Sequence, residues 1–234
     1  MALPLVLADY VGPPNPWFSW TWIDNHTDDL FTAAREHVTI TVLAVALALL
    51  VAFPLALVAR RFRRTEGPIL AVAGVLYTIP SLALIGALVP LFGLTPTTVA
   101  VALAIYALLV IVRNLIVGLD GVPADVVDAA RGMGFSSTRM LWQVELPLAL
   151  PAAMAGVRIA TVSTIGLLTI GGFVGYGGFG NLIVSGFQAT VGRAEVVTAA
   201  LCCILLALLA DVSLLLLQRA LTPWARGRTR GATA

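Results

Sequence analysis

Polar residues along this chain are gathered into clusters, and the intervals between the clusters are almost wholly apolar. Five long apolar runs result, at about 38–59, 68–92, 97–119, 151–173 and 196–217. Each is near the roughly 20 residues a helix needs to cross the hydrocarbon of a bilayer. The pattern therefore predicts an all-α integral membrane protein with five transmembrane helices. Pro80 falls inside the second run and predicts a kink, because it removes one backbone hydrogen bond. Thr78 and Ser81 stand beside it to take up the freed carbonyl.

The segments outside the runs divide the chain further. Residues 1–29 hold a short apolar piece, Ala2 to Ala8, without basic residues and too short to span, which makes a poor signal peptide. Pro13, Pro14 and Pro16 follow, and then Trp17, Phe18, Trp20 and Trp22. Such an aromatic cluster suits a membrane–water interface, so 1–29 reads as an interfacial segment. Residues 30–218 read as the membrane domain, interrupted by a polar loop at 121–147, and 219–234 as a basic tail.

Composition supports this class and excludes others. The chain is 11% charged with a mean hydropathy of +0.98, against about 25% charged residues in a soluble domain. All fourteen basic residues are Arg. Five spans put the termini on opposite sides, and the excess of Arg marks the cytoplasmic one. With the N-terminus outside, the inner segments hold Arg60, Arg61, Arg63, Arg64, Arg113, Arg131, Arg139, Arg219, Arg226, Arg228 and Arg230. Only Arg35 and Arg193 then fall outside, and Arg158 lies within the fourth span. The loop at 121–147 and the C-terminus are therefore expected in the cytoplasm. Without Lys the chain has no phosphate-binding G-x-x-x-x-G-K-[ST] loop, so it does not hydrolyse ATP by itself. The two histidines, His26 and His37, exclude a His-rich metal centre, and Cys202-Cys203 read as small packing residues. The spans show no nucleophile–base pair or metal cluster, so neither a catalytic nor a metal site is expected. Arg158 and Asp211 sit in apolar runs at depths that permit pairing.

The loop carries most of the internal charge. Pro123 can open a helix, with Asp125 and Asp128 near its N-terminus, where the dipole favours carboxylates. Val126, Val127 and Ala130 give it a small apolar face. Gly132 or Gly134 can stop it in a left-handed conformation, and Ser136 or Ser137 can cap a second helix carrying Met140, Leu141 and Val144. Pro147 is expected to break the chain before the fourth span. The product is a helix–turn–helix knob with small residues at its tip, suited to a groove on another protein.

The spacing Asp128-Ala129-Ala130, three residues, Gly134, nine residues, Val144-x-Leu146-Pro147 resembles the EAA loop of ABC importer permeases. Asp128 and Val144 replace the usual Glu and Ile. The resemblance covers about residues 30–218. It implies the type I (MetI-like) permease fold, with Asp128, Ala129, Ala130, Arg131, Gly134, Phe135, Leu146 and Pro147 coupling to an ATPase. It further implies two ATP-binding subunits that hold ATP and Mg, a second permease copy or paralogue, and an extracytoplasmic binding protein. This chain would bind no cofactor and no nucleic acid, and would sit in a bacterial inner membrane. Within that family, Thr78-Ile79-Pro80-Ser81-Leu82-Ala83-Leu84, Glu36-His37 and Arg158-Ile159-Ala160-Thr161 look similar to permeases for glycine betaine, choline, carnitine and proline betaine. A methionine-type amino-acid permease is the alternative, and a secondary transporter or channel the rival class. Five spans without an internal repeat weigh against that rival.

A quaternary ammonium cation is weakly hydrated and is attracted to aromatic faces. Tyr77, Thr78, Pro80, Ser81 and Tyr106 are therefore the pathway candidates. The glycine-rich stretch 171–180 reads as an outer turn with a short returning helix from Asn181 to Gln188. It is either a plain loop or an outer gate, with Gly175 and Gly177 as the gate candidates. Its formal G-x-G-x-x-G is not a dinucleotide fingerprint, because it follows a membrane helix rather than a strand.

Overall fold

The computed structural model describes residues 16–189 and 192–224, so residues 1–15 of the interfacial segment and residues 225–234 of the basic tail lie outside it. Ten α-helices are formed among the described residues. They are α1 (Trp20–Asn25), α2 (Thr27–Arg61), α3 (Glu66–Thr78), α4 (Ser81–Phe92), α5 (Pro96–Asp120), α6 (Ala124–Gly132), α7 (Ser137–Met140), α8 (Leu146–Leu168), α9 (Phe179–Gln188) and α10 (Arg193–Leu221). Among the described residues, four helical runs are long and apolar enough to cross a membrane, and five if the bent pair α3–α4 counts as one.

α2, α5 and α8 form the centre. α2 begins well before its predicted start, with Asp28 and Asp29 in its first turn and Arg60 and Arg61 in its last, both favourable to the helix dipole. Its buried stripe is built largely of alanines: Ala44, Ala48, Ala52, Ala56 and Ala59. Small side chains at that spacing let the backbone of α2 lie close to α5. α5 opens with Pro96 at its first turn, and Thr95 caps it by accepting the Thr98 N–H. Its Leu103, Ile111, Val112 and Leu119 are fully enclosed. α8 crosses α5 at two glycines. A Cβ on Gly118 would lie 2.8 Å from the Ala149 carbonyl, and one on Gly156 would lie 2.9 Å from Asn114 Cγ.

Two expectations are corrected. The second span is not one kinked helix: α3 and α4 meet at 99°. The residue before a proline is pushed out of the α region, and Ile79 accordingly takes ψ 130 and Pro80 ψ 135. The chain thus leaves the helix altogether and restarts with Pro80 as a cap. Neither Thr78 nor Ser81 takes the carbonyl that Pro80 frees, Leu76 O, which accepts the Ile79 N–H at 3.3 Å. The Tyr106 hydroxyl donates to Ile79 O, while Thr78 donates to Val75 O at 2.7 Å. Nor does Pro147 break the chain. A π turn at Leu141–Glu145 leads directly into α8, with Leu146 N–H reaching back to Leu141 O, and Pro147 is accommodated at this junction without interrupting the helical path.

Candidate functional site

The polar loop folds as a knob at one end of the bundle. Pro123 precedes α6, and Asp125 lies in its first turn. The helix ends where Met133 N–H reaches Ala129 O at 3.0 Å, and Gly134 then adopts φ +80. A side chain is strained in that left-handed region, so Gly134, rather than Gly132, is the stop. Phe135 N–H closes the turn onto Ala130 O at 3.1 Å, and Ser136, rather than Ser137, caps α7 by accepting the Arg139 N–H. Arg139 lies over the Phe135 ring at 4.1 Å.

Burial separates the marked residues into two sets. Ala130 is enclosed, whereas Asp128, Ala129, Arg131 and Gly134 are exposed, with Asp128 and Arg131 paired at 2.9 Å. Leu146 and Pro147 are half-buried where α8 begins. The knob thus keeps one alanine for its own fold and shows small and charged residues at its tip. Met133 completes that tip at 70% exposure. The sequence reading passed over it, although an apolar residue between two glycines was the available signal.

The feet of the loop are tied by ions. Arg60 pairs with Asp120 at 3.2 Å and with Glu145 at 3.1 Å, and Arg63 pairs with Asp120 at 2.6 Å and with Glu66 at 3.3 Å. A cavity of about 480 Å³ lies between the knob and the end of α2, walled by Leu57, Arg61, Val127, Phe135 and Met140.

The pathway candidates gather at the α3–α4 break. Tyr77 is 43% exposed and meets the buried Tyr106 edge-on, with ring centroids 5.6 Å apart. Ser81 is half-buried at the head of α4, and Pro80 is exposed. The Ile79 carbonyl is engaged by Tyr106, so the break presents aromatic faces rather than a bare carbonyl.

The glycine stretch is a latched turn at the bundle end opposite the knob. A 3₁₀ segment, Thr169–Val174, leads to Gly175 at φ +83, and α9 returns from Phe179. Gly177 N–H donates to Asn181 Oδ1 at 3.0 Å, and Asn181 Nδ2 donates to Glu36 Oε2 at 3.3 Å. His37, fully buried, accepts the Phe179 N–H on Nδ1 and donates from Nε2 to Ile165 O. A Cβ on Gly178 would stand 2.7 Å from His37 Cβ. Val174 and Tyr176, which flank Gly175, pack on the cluster that contains Tyr106 and Ile79. The gate candidates and the pathway candidates are thereby joined. Glu36 and His37 entered the sequence reading only as a likeness, and the latch they form was not foreseen.

The Arg158–Asp211 pair left open by the sequence is formed: Nε and Nη2 of Arg158 donate to the Asp211 carboxylate at 2.8–3.0 Å. It lies in an open cavity of about 550 Å³ between α8 and α10, whose other walls include Ile159, Val162, Ile204 and Leu208.

Comparison with known proteins completes the description. The family model described as "Binding-protein-dependent transport system inner membrane component" matches residues 44–227. The chain is 40% identical to the glycine betaine/carnitine/choline transport system permease protein OpuCD of Bacillus subtilis, over 80% of this chain and 82% of that protein. It is 35% identical to the choline transport system permease protein OpuBB of the same organism, over 86% and 93%. Against the osmoprotectant import permease protein OsmW of Salmonella typhimurium it is 38% identical, over 80% and 89%. Among solved structures, the inward-facing MetNI methionine ABC transporter superposes with a TM-score of 0.72 at 22% identity, covering 82% of this chain and 96% of that one.

Proposed function

The chain belongs to the family of binding-protein-dependent transport inner-membrane components, and from that premise we propose that it carries quaternary-ammonium osmoprotectants into the cell. Glycine betaine, choline and carnitine are the candidate substrates. The observation that carries this reading is the agreement among relatives at 35–40% identity, each named for such compounds or for osmoprotectants. The likeness to the methionine importer is one of fold, at 22% identity.

The α3–α4 break suits that substrate class. A quaternary ammonium group donates no hydrogen bond and is held by ring faces. Tyr77 offers an exposed ring there, and Tyr106 holds the break open through Ile79. Gly175 and Gly177 act as the outer gate, closed by the contacts of Glu36 and His37.

ATP and Mg are bound by partner subunits, two per transporter, each receiving one knob. Asp128, Ala129, Arg131, Gly134 and Phe135 form the docking tip and its turn, while Ala130, Leu146 and Pro147 set its shape. A second copy or paralogue of this chain completes the pathway, and an extracytoplasmic binding protein delivers substrate to the glycine end. The N-terminus lies outside and the knob inside, a reading supported by the excess of Arg in the segments this puts in the cytoplasm.

The test is growth at high salt of a bacterial strain stripped of its own compatible-solute importers. The strain expresses this chain with its binding protein and ATPase. Rescue by glycine betaine, choline or carnitine in the medium is expected. Rescue by none of them, with the proteins accumulated in the membrane, would overturn the substrate assignment.

A further inference from the structure

One guanidinium touches both feet of the knob. Arg60 Nη1 donates to Asp120 Oδ1, where α5 ends, and Nη2 to Glu145 Oε1, just before α8 begins. All of residues 121–144 lie between those two carboxylates. α5 and α8 are joined to the knob by the chain itself, but α2 is remote from it in sequence. Phe53 of α2 meets Trp142 of the π turn, with ring centroids 6.0 Å apart, but the cavity separates α2 from the knob itself, and α6 and α7 pack chiefly on each other and on the π turn. The ion pairs therefore bridge α2 to the loop at the edge of that cavity, which Arg60 and Glu145 both line. Arg63 reinforces only the Asp120 foot.

The other end of α2 holds the glycine turn through Glu36 and His37. Twenty-three residues of α2 separate His37 from Arg60, with Pro54 among them removing one backbone hydrogen bond, a span of about 35 Å at 1.5 Å per residue. The same helix thus touches the loop at one end and the opposite turn at the other.

We propose that Arg60 is a positioning residue of the transport cycle. It ties α2 to both feet of the knob, so that displacement of the knob moves the adjoining end of α2 and is carried along that helix to the glycine turn. This rests on the knob being the ATPase-coupling element. The Arg60 and Glu145 side chains keep only 27% and 14% exposure, so the clamp contributes to folding as well as to coupling, and assembly is measured beside the coupling ratio.

The experiment uses the transporter assembled with its ATPase and binding protein in lipid bilayers. ATP hydrolysed per substrate molecule moved is the readout. Arg60→Gln is expected to raise that ratio at least about fivefold with assembly intact, a coupling loss of ordinary size. Arg60→Lys, whose single ammonium reaches one foot at a time, is expected to raise it about twofold, and Arg63→Gln less than that. Gly134→Val serves as the control on the knob. A normal ratio in Arg60→Gln beside an uncoupled Gly134→Val would overturn the clamp and leave the coupling loop standing. Normal ratios in both would overturn the two together.

A second measurement leaves Arg60 in place. Spin labels on Arg64→Cys and Ser137→Cys, in a Cys202→Ala/Cys203→Ala background, report the distance from the end of α2 to the knob. It should stay within about 2 Å between nucleotide-free and ATP-bound states, as a rigid unit requires, whereas a change of about 5 Å would overturn the proposal.

Discussion

The Arg158–Asp211 pair joins α8 to α10 at a place where packing is thin. Its three N–O distances of 2.8–3.0 Å make it bidentate, and the side chains keep 24% and 37% exposure. Replacing Arg158 by Leu leaves a carboxylate facing Ile204 and Leu208 without its cation. Breaking a fully buried pair costs about 3–5 kcal/mol. Partial exposure reduces this, and about 2 kcal/mol is a fair expectation for this site. On the scale of a chain this size that is a drop of about 4–8 °C in midpoint. Removing both charges together, as Arg158→Leu/Asp211→Leu, leaves no orphan and should cost less than Arg158→Leu alone. The assay is thermal unfolding of the four purified proteins, arranged as a double-mutant cycle. If the double variant loses the sum of the two single losses, the pair does not hold these helices and the argument fails.

Three further outcomes are expected. Gly156→Ala should lower the midpoint by several degrees, because its new methyl meets Asn114 where α5 and α8 cross; an unchanged midpoint would refute that crossing. Tyr106→Phe leaves the Ile79 carbonyl without its donor and should cost about 1–3 kcal/mol of stability in the same unfolding assay. Tyr77→Ala should slow quaternary-amine uptake about tenfold with ATPase activity retained, and Tyr77→Phe much less, since the ring face survives; uptake at the original rate in Tyr77→Ala would remove that residue from the pathway.

The long helices were legible because apolar length alone specifies them. The knob was legible because Gly134 and Ser136 act through local backbone geometry, which sequence spacing reports well. The α3–α4 break was read too mildly. A proline in a helix signals a kink or a full break, and the partner that stabilises the break, the Tyr106 hydroxyl on Ile79 O, lies twenty-seven residues away in sequence. Pro147 does not interrupt the helix because a π turn precedes it, and nothing in the residue pattern announces a π turn. The latch of Glu36 and His37 on the glycine turn, and the clamp of Arg60 on Asp120 and Glu145, join residues remote in sequence. Counting charges along the chain does not pair those arginines with their carboxylates.

The most direct test is flux through the assembled transporter in sealed proteoliposomes, with radiolabelled glycine betaine, choline, carnitine and methionine supplied one at a time to the binding-protein side. Accumulation against a gradient of at least one quaternary amine, dependent on ATP at the knob side and absent for methionine, is the predicted result. ATP-driven accumulation of methionine with no movement of any quaternary amine would contradict the account.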